Sequence, residues 1–297
     1  MRAVAGPGRW GSGRWVWGLS GLVTAAAIAV PGALLIASPG TPANESAQPQ
    51  HVVTRTETVP QPVTSLLVQS YGGQVQVTSG QVNRVQITET IGYDNAPDSP
   101  PVVQRSVSGG RLSLSDPECN QSDCNVDFDV TVPPGVTVTV FTEGGSVAVS
   151  GAAGATLDSG GGPARATLIG GPLTVVTGGG PLVLRGVAGP LHADTGGGPL
   201  VAQDIAAATA TVTTGGGSAM VVFDAAPKSV SVRTDGGPAV LAVPGGPYAV
   251  TADSGGGPEL LGIATNPAAR PALTVSSGGG PLRIEPAPRL WRPGLSA

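Results

Sequence analysis

The sequence predicts an all-β fold, a parallel β-solenoid (β-helix) of about eight coils of 17–23 residues, with irregular coils ahead of them. Three observations lead there. A glycine cluster preceded by Thr or Ser recurs along the chain, and apolar and polar residues alternate on both sides of each cluster. The third is composition: glycine (47) and proline (29) are abundant in 297 residues, while aromatic residues make up only 3%. That much Gly and Pro borders on low complexity, but 40% hydrophobic and 11% charged residues do not describe a chain that stays unfolded. Thin strands joined by tight corners reconcile the two.

The last glycine of each cluster falls at Gly145, Gly162, Gly180, Gly198, Gly217, Gly237, Gly257 and Gly280, in steps of 17, 18, 18, 19, 20, 20 and 23 residues. Three residues earlier stands a hydroxyl without exception, from Thr142 and Ser159 to Ser254 and Ser277. Five and seven residues earlier the positions are apolar (Val140, Leu157, Val175; Val138, Ala155, Leu173), with Thr, Ser or His192 between them. Two and four residues after the glycine, apolar positions return, with Glu259 as the exception. This is the period-two signature of strands with one buried face. Glycine at the corners is expected for its access to positive φ. Proline following the glycine, as at Pro163, Pro181 and Pro199, is expected to open a strand where a missing N–H does least harm.

Residues 135–285 therefore read as regular coils. Residues 63–134 read as worn ones that cap the stack, since Ser70-Tyr71-Gly72-Gly73 and Gly109-Gly110 keep fragments of the unit. Ahead of these, residues 1–14 carry Arg2, Arg9 and Arg14 and no acid, and 15–37 form a largely apolar run of membrane-spanning length. The expectation is a cytoplasmic N-terminus, a transmembrane anchor or uncleaved signal at 15–37, and an extracytoplasmic remainder of a single-pass cell-membrane protein. Residues 38–62 read as a disordered Pro-rich linker and 286–297 as a disordered tail.

Little in the chain points to chemistry. Cys119 and Cys124, the two cysteines, read as a disulfide across a tight loop rather than a zinc site, for which no further Cys or His is near. Asp116, Glu118, Asp123, Asp127 and Asp129 surround them; oxygen-rich clusters hold calcium, but no calcium-loop spacing is present, so they read as solvated carboxylates. His192 beside Asp194 has no paired nucleophile, and His51 sits in the linker. No catalytic, metal or cofactor site is expected. With 15 scattered basic residues and a net charge of −4, nucleic-acid binding has no support.

The segment Val132-Pro133-Pro134-Gly135-Val136, the Thr/Ser-Gly-Gly repeats after it, and Val243-Pro244-Gly245-Gly246-Pro247-Tyr248 resemble the putative-adhesin β-strand-repeat family of bacterial proteins. The resemblance covers about residues 63–285 and implies an exported β-solenoid without catalytic residues. Proline after the glycines departs from the polar residue common in that family. The expected function is a non-enzymatic, adhesin-like or structural envelope protein that binds a cell-wall polymer, an envelope protein or a second copy of itself. The alternatives are a polysaccharide-active β-helix enzyme, which would need clustered carboxylates on one face, and an accessory module of an envelope-stress system.

Overall fold

The computed structural model describes residues 51–94, 100–119 and 124–288, all within the compact unit Gln48–Ala297. The first strands are β1 (His51–Thr58), β2 (Ser65–Ser70), β3 (Val75–Ser79), β4 (Gln86–Tyr93), β5 (Gln104–Ser108), β6 (Arg111–Ser115) and β7 (Cys124–Val132), with a 3-10 turn at Pro117–Cys119. Strands in pairs follow: β8 (Thr137–Thr142) and β9 (Val147–Ser150), β10 (Gly154–Asp158) and β11 (Ala164–Ile169), β12 (Leu173–Thr177) and β13 (Leu182–Val187), β14 (Leu191–Thr195) and β15 (Leu200–Ile205). The remaining pairs are β16 (Thr209–Thr214) and β17 (Ala219–Phe223), β18 (Ser229–Thr234) and β19 (Ala239–Val243), β20 (Ala249–Asp253) and β21 (Glu259–Leu261), β22 (Ala272–Ser276) and β23 (Leu282–Pro286).

One strand of each pair joins a sheet ordered β20-β22-β18-β16-β14-β12-β10-β8-β2-β6-β5, and the other joins a sheet ordered β1-β4-β7-β3-β9-β11-β13-β15-β17-β19-β23-β21. Pairing is parallel except at the N-terminal edges, where β5 lies antiparallel on β6, β4 on β7 and β1 on β4. The alternating Val, Leu and Ala columns are buried between the sheets, as at Leu157, Val175, Leu184 and Val212. Three coils carry a stacked bulge before the last strand residue, with positive φ at Leu168, Gly186 and Asp204.

The structure corrects the sequence reading in four places. The expected class, a solenoid preceded by a transmembrane helix, becomes two mostly parallel sheets with antiparallel edges. Among the described residues no helix is long and apolar enough to cross a membrane, and the segment 15–37 lies outside them. Within the expected linker, residues 51–58 form β1, because the Val/Thr-rich stretch finds a partner in β4 along its whole length.

The third correction concerns stacking order. The coils follow the chain as far as β18–β19, but β22–β23 then lies between that coil and β20–β21. The coil that ends the stack is therefore the seventh of the eight expected units and not the last. It also explains Glu259, the charge in an apolar column: among the described residues no strand covers β21, so its carboxylate reaches water, and an inward charge guards an open edge.

The fourth concerns the corner glycines. None of the eight has positive φ. What they provide is closeness between coils: a Cβ on Gly180 would lie 2.0 Å from the carbonyl oxygen of Gly162, and one on Gly198 2.2 Å from that of Gly180. The same contact repeats from Gly145 to Gly280. Positive φ falls instead on neighbours such as Gly216, Gly236 and Gly279, whose Cβ would meet nothing within 4 Å. The preceding hydroxyls point inward and are buried, and each donates to the carbonyl of the glycine three residues on: Thr177 to Gly180 at 2.9 Å, Thr195 to Gly198 at 2.7 Å, Ser254 to Gly257 at 2.6 Å. A buried hydroxyl must have such a partner, and this one also closes the corner.

Gly180→Ala should therefore destabilise the protein by roughly 2–3 kcal/mol, since the backbone of the preceding coil at Gly161 and Gly162 leaves the methyl no space. Gly179→Ala, one residue away with nothing within 4 Å of its Cβ, should shift stability by less than about 0.5 kcal/mol. Urea unfolding of the two variants beside the parent checks the contrast.

Candidate functional site

At most corners the residue after the hydroxyl is a glycine, as at Gly178, Gly196 and Gly215, and the outer surface there is bare. The first coils differ. Tyr71 follows Ser70, and Glu143 follows Thr142, so two side chains rise from the corner row. Beside them runs the outward column of the eleven-stranded sheet, in which Ser115 pairs with Gln69, Gln69 with Phe141 and Phe141 with Asp158. Corner and column together line a cleft of about 550 Å³, with Pro117 and Gly160 also in its lining. This lies within the usual range for small-ligand sites, roughly 300–1,000 Å³.

The cleft is mixed in character. Phe141 is 40% exposed and Tyr71 36%, in a chain with very few aromatic residues. Glu143 and Asp158 bring two carboxylates, Gln69 an amide, and among the described residues no Lys or Arg lines it. Asp158 accepts a hydrogen bond from the backbone N–H of Gly160 at 3.1 Å, which fixes its carboxylate beside the corner.

Under the wall lies Asp116, in register with the hydroxyl column but carrying a carboxylate. It accepts from the Ser70 hydroxyl at 2.9 Å and from the backbone N–H of Tyr71 at 3.2 Å, and so positions Tyr71. Burial pushes its pKa up to about 6, against these two hydrogen bonds and one from its own backbone, which favour the anion. The disulfide between Cys119 and Cys124 follows at once and joins the turn Pro117–Cys119 to β7, where a glycine corner would otherwise stand.

Other residues singled out in the sequence are dispersed. The carboxylates near the cysteines do not gather: Glu118 accepts from Val102 N–H, Asp127 from Gln74 N–H, and Asp123 lies outside the described residues. Asp116 is buried, which corrects the reading of these groups as solvated. Among the described residues no three His, Cys, Asp or Glu side chains come together as a metal site would require. His192 is exposed on β14, and His51 stacks on Tyr93 with ring centroids 5.2 Å apart. A second buried carboxylate, Glu89, faces inward from β4 with Arg105 as its ion-pair partner; Arg105 also pairs with Glu57. Burial raises the pKa of Glu89, with Arg55 acting against it. This triad links β1, β4 and β5 at the N-terminal edges of the two sheets.

The raised pKa of Asp116 has a definite sign. Its protonated form is favoured by folding, so its contribution is fullest below the unfolded carboxylate value near 4 and is lost as pH rises through about 6. The loss amounts to about 3 kcal/mol at most. Asp116→Asn should flatten the stability profile between roughly pH 4 and 7 and raise stability at neutral pH, which thermal unfolding across that range checks.

A search of solved structures finds a "putative adhesin" from Bacteroides fragilis (14% identity, TM-score 0.47, covering 79% of this chain and 97% of that one). Two from Parabacteroides distasonis are similar: a "putative adhesin" (10%, 0.49, 79% and 97%) and a "putative lipid binding protein" (11%, 0.48, 80% and 98%). No curated protein matches the chain. Residues 66–244, more than half of the sequence and including the whole cleft, match a family model, and the chain belongs to the family described as "Putative auto-transporter adhesin, head GIN domain".

Proposed function

We propose that the protein is a non-enzymatic, adhesin-type binding module displayed at the cell surface, and that it takes its ligand in the cleft at Tyr71, Phe141, Glu143 and Asp158. The observation that carries this reading is the position of the cleft. It is where side chains rise from the corner row beside an exposed aromatic, whereas most other corners carry glycine at that position. The floor is borne on strands, which hold contact groups more exactly than loops do. Membership of an adhesin family supports a binding role. The partner in this reading is a bacterial cell-wall polymer, with an envelope protein as the competing class.

The test is co-sedimentation of the full chain with purified, protein-free bacterial cell walls. Binding should occur and should weaken roughly tenfold in the double variant Tyr71→Ala/Phe141→Ala, whose side chains are exposed and whose loss leaves the core intact. Equal binding by parent and variant would overturn the assignment to the cleft. Binding only to an envelope protein fraction would transfer the role to the competing class.

A further inference from the structure

From the composition and shape of this cleft we infer that its ligand is an oligosaccharide of neutral or amino sugars, and that it excludes acidic glycans. The inference rests on the reading of the cleft as the binding site and adds the chemical class.

A pyranose ring is amphipathic in one geometry: its C–H faces are apolar and its hydroxyls lie around the rim. A site for it needs an exposed aromatic face and, at the sides, groups that accept and donate hydrogen bonds. The cleft has this arrangement. Phe141 stands in the floor between Gln69 and Asp158 in adjacent strands, and Tyr71 and Glu143 rise from the corners beside it. Ionised carboxylates accept sugar hydroxyls in charge-assisted bonds, and the Gln69 amide supplies both a donor and an acceptor. Asp158 is already held by Gly160 N–H, so little ordering remains to be done when a ligand arrives.

Length and charge narrow the class. The floor crosses four adjacent strands, from Ser115 to Asp158, which at strand spacing is roughly 14 Å. That exceeds one sugar ring, so a chain of rings fits better than a monosaccharide. Two carboxylates, with no Lys or Arg among the described lining residues, set up a negative field in a concave site. Uronic acids and phosphorylated sugars are repelled by it, whereas hydroxyls, N-acetyl groups and free amines are not.

The experiment is ligand-observed saturation-transfer NMR on the full chain, with chitotetraose, cellotetraose and tri-galacturonate as probes. At least one of the first two should show transfer and the uronate none. Phe141→Ala should weaken binding roughly tenfold. Glu143→Gln, which keeps shape and removes one charge, should weaken the neutral ligand less and reduce the discrimination against the uronate. Circular dichroism confirms that each variant is folded. Absence of transfer from both neutral probes overturns the inference, as does preference for the uronate or indifference to Phe141→Ala. If those failures coincide with cell-wall binding that still depends on Tyr71 and Phe141, the saccharide class is wrong and the cleft stands. If cell-wall binding itself ignores the cleft, the underlying reading falls. Recovery of shortened oligosaccharide would also overturn the inference, because the site would then be hydrolytic.

Discussion

The structure depends on how closely two coils can approach at the glycine corner. Each last glycine sits about 2 Å, measured from where its Cβ would be, beneath the carbonyl oxygen of the coil before it. That carbonyl-to-Cα stacking holds the corners at strand spacing, so the flanking strands can pair on both sides without a change of register. The buried hydroxyl three residues earlier satisfies the glycine carbonyl and is itself satisfied, so a polar turn passes through the core at no cost in unpaired groups. Small apolar residues in the columns follow from the same closeness. The proline carbonyls extend the pattern, since Pro181 and Pro199 accept from Ala164 and Leu182 of the preceding coils while their missing N–H groups leave nothing unpaired.

The candidate site is a local failure of that rule. Where Tyr71 and Glu143 replace glycine at the corner, and Asp116 replaces a hydroxyl, the surface gains relief and charge. The disulfide at Cys119 and Cys124 stands in the same stretch of chain, at a corner with no glycine cluster. Regularity supplies the scaffold and departures from it supply the chemistry, which is consistent with functional sites being where local rules are broken.

Much of the scaffold was legible because its columns are local and periodic: the apolar alternation and the hydroxyl column can be read in one pass along the chain. The reason for the glycines was not, because positive φ and close approach select the same residue, and only coordinates separate them. The interleaved final coil left two traces in the sequence, Glu259 in an apolar column and the long connection from Gly262 to Pro271, and both read as ordinary variation until the pairing was known. The cleft had no linear signal. Tyr71 and Phe141 are far apart in the chain and meet because β2 and β8 are neighbours, a pairing that crosses the whole irregular region. Asp116 looked like one of several loop acids, since nothing in its flanks shows that it lies in register with Ser70.

The interleaving of the last coil carries a consequence for assembly. A solenoid built strictly in chain order can grow like a stack of plates, each coil settling on a finished surface. Here β20–β21 is made before the coil it must rest on, and its strands gain neighbours only when β22–β23 enters between it and β18–β19. The terminal plate thus waits for the one beneath it, and the end of the stack closes out of chain order. Fraying from that end can release β20–β21 alone, since β22–β23 keeps β18–β19 as its neighbour, whereas loss of β22–β23 takes β20–β21 with it.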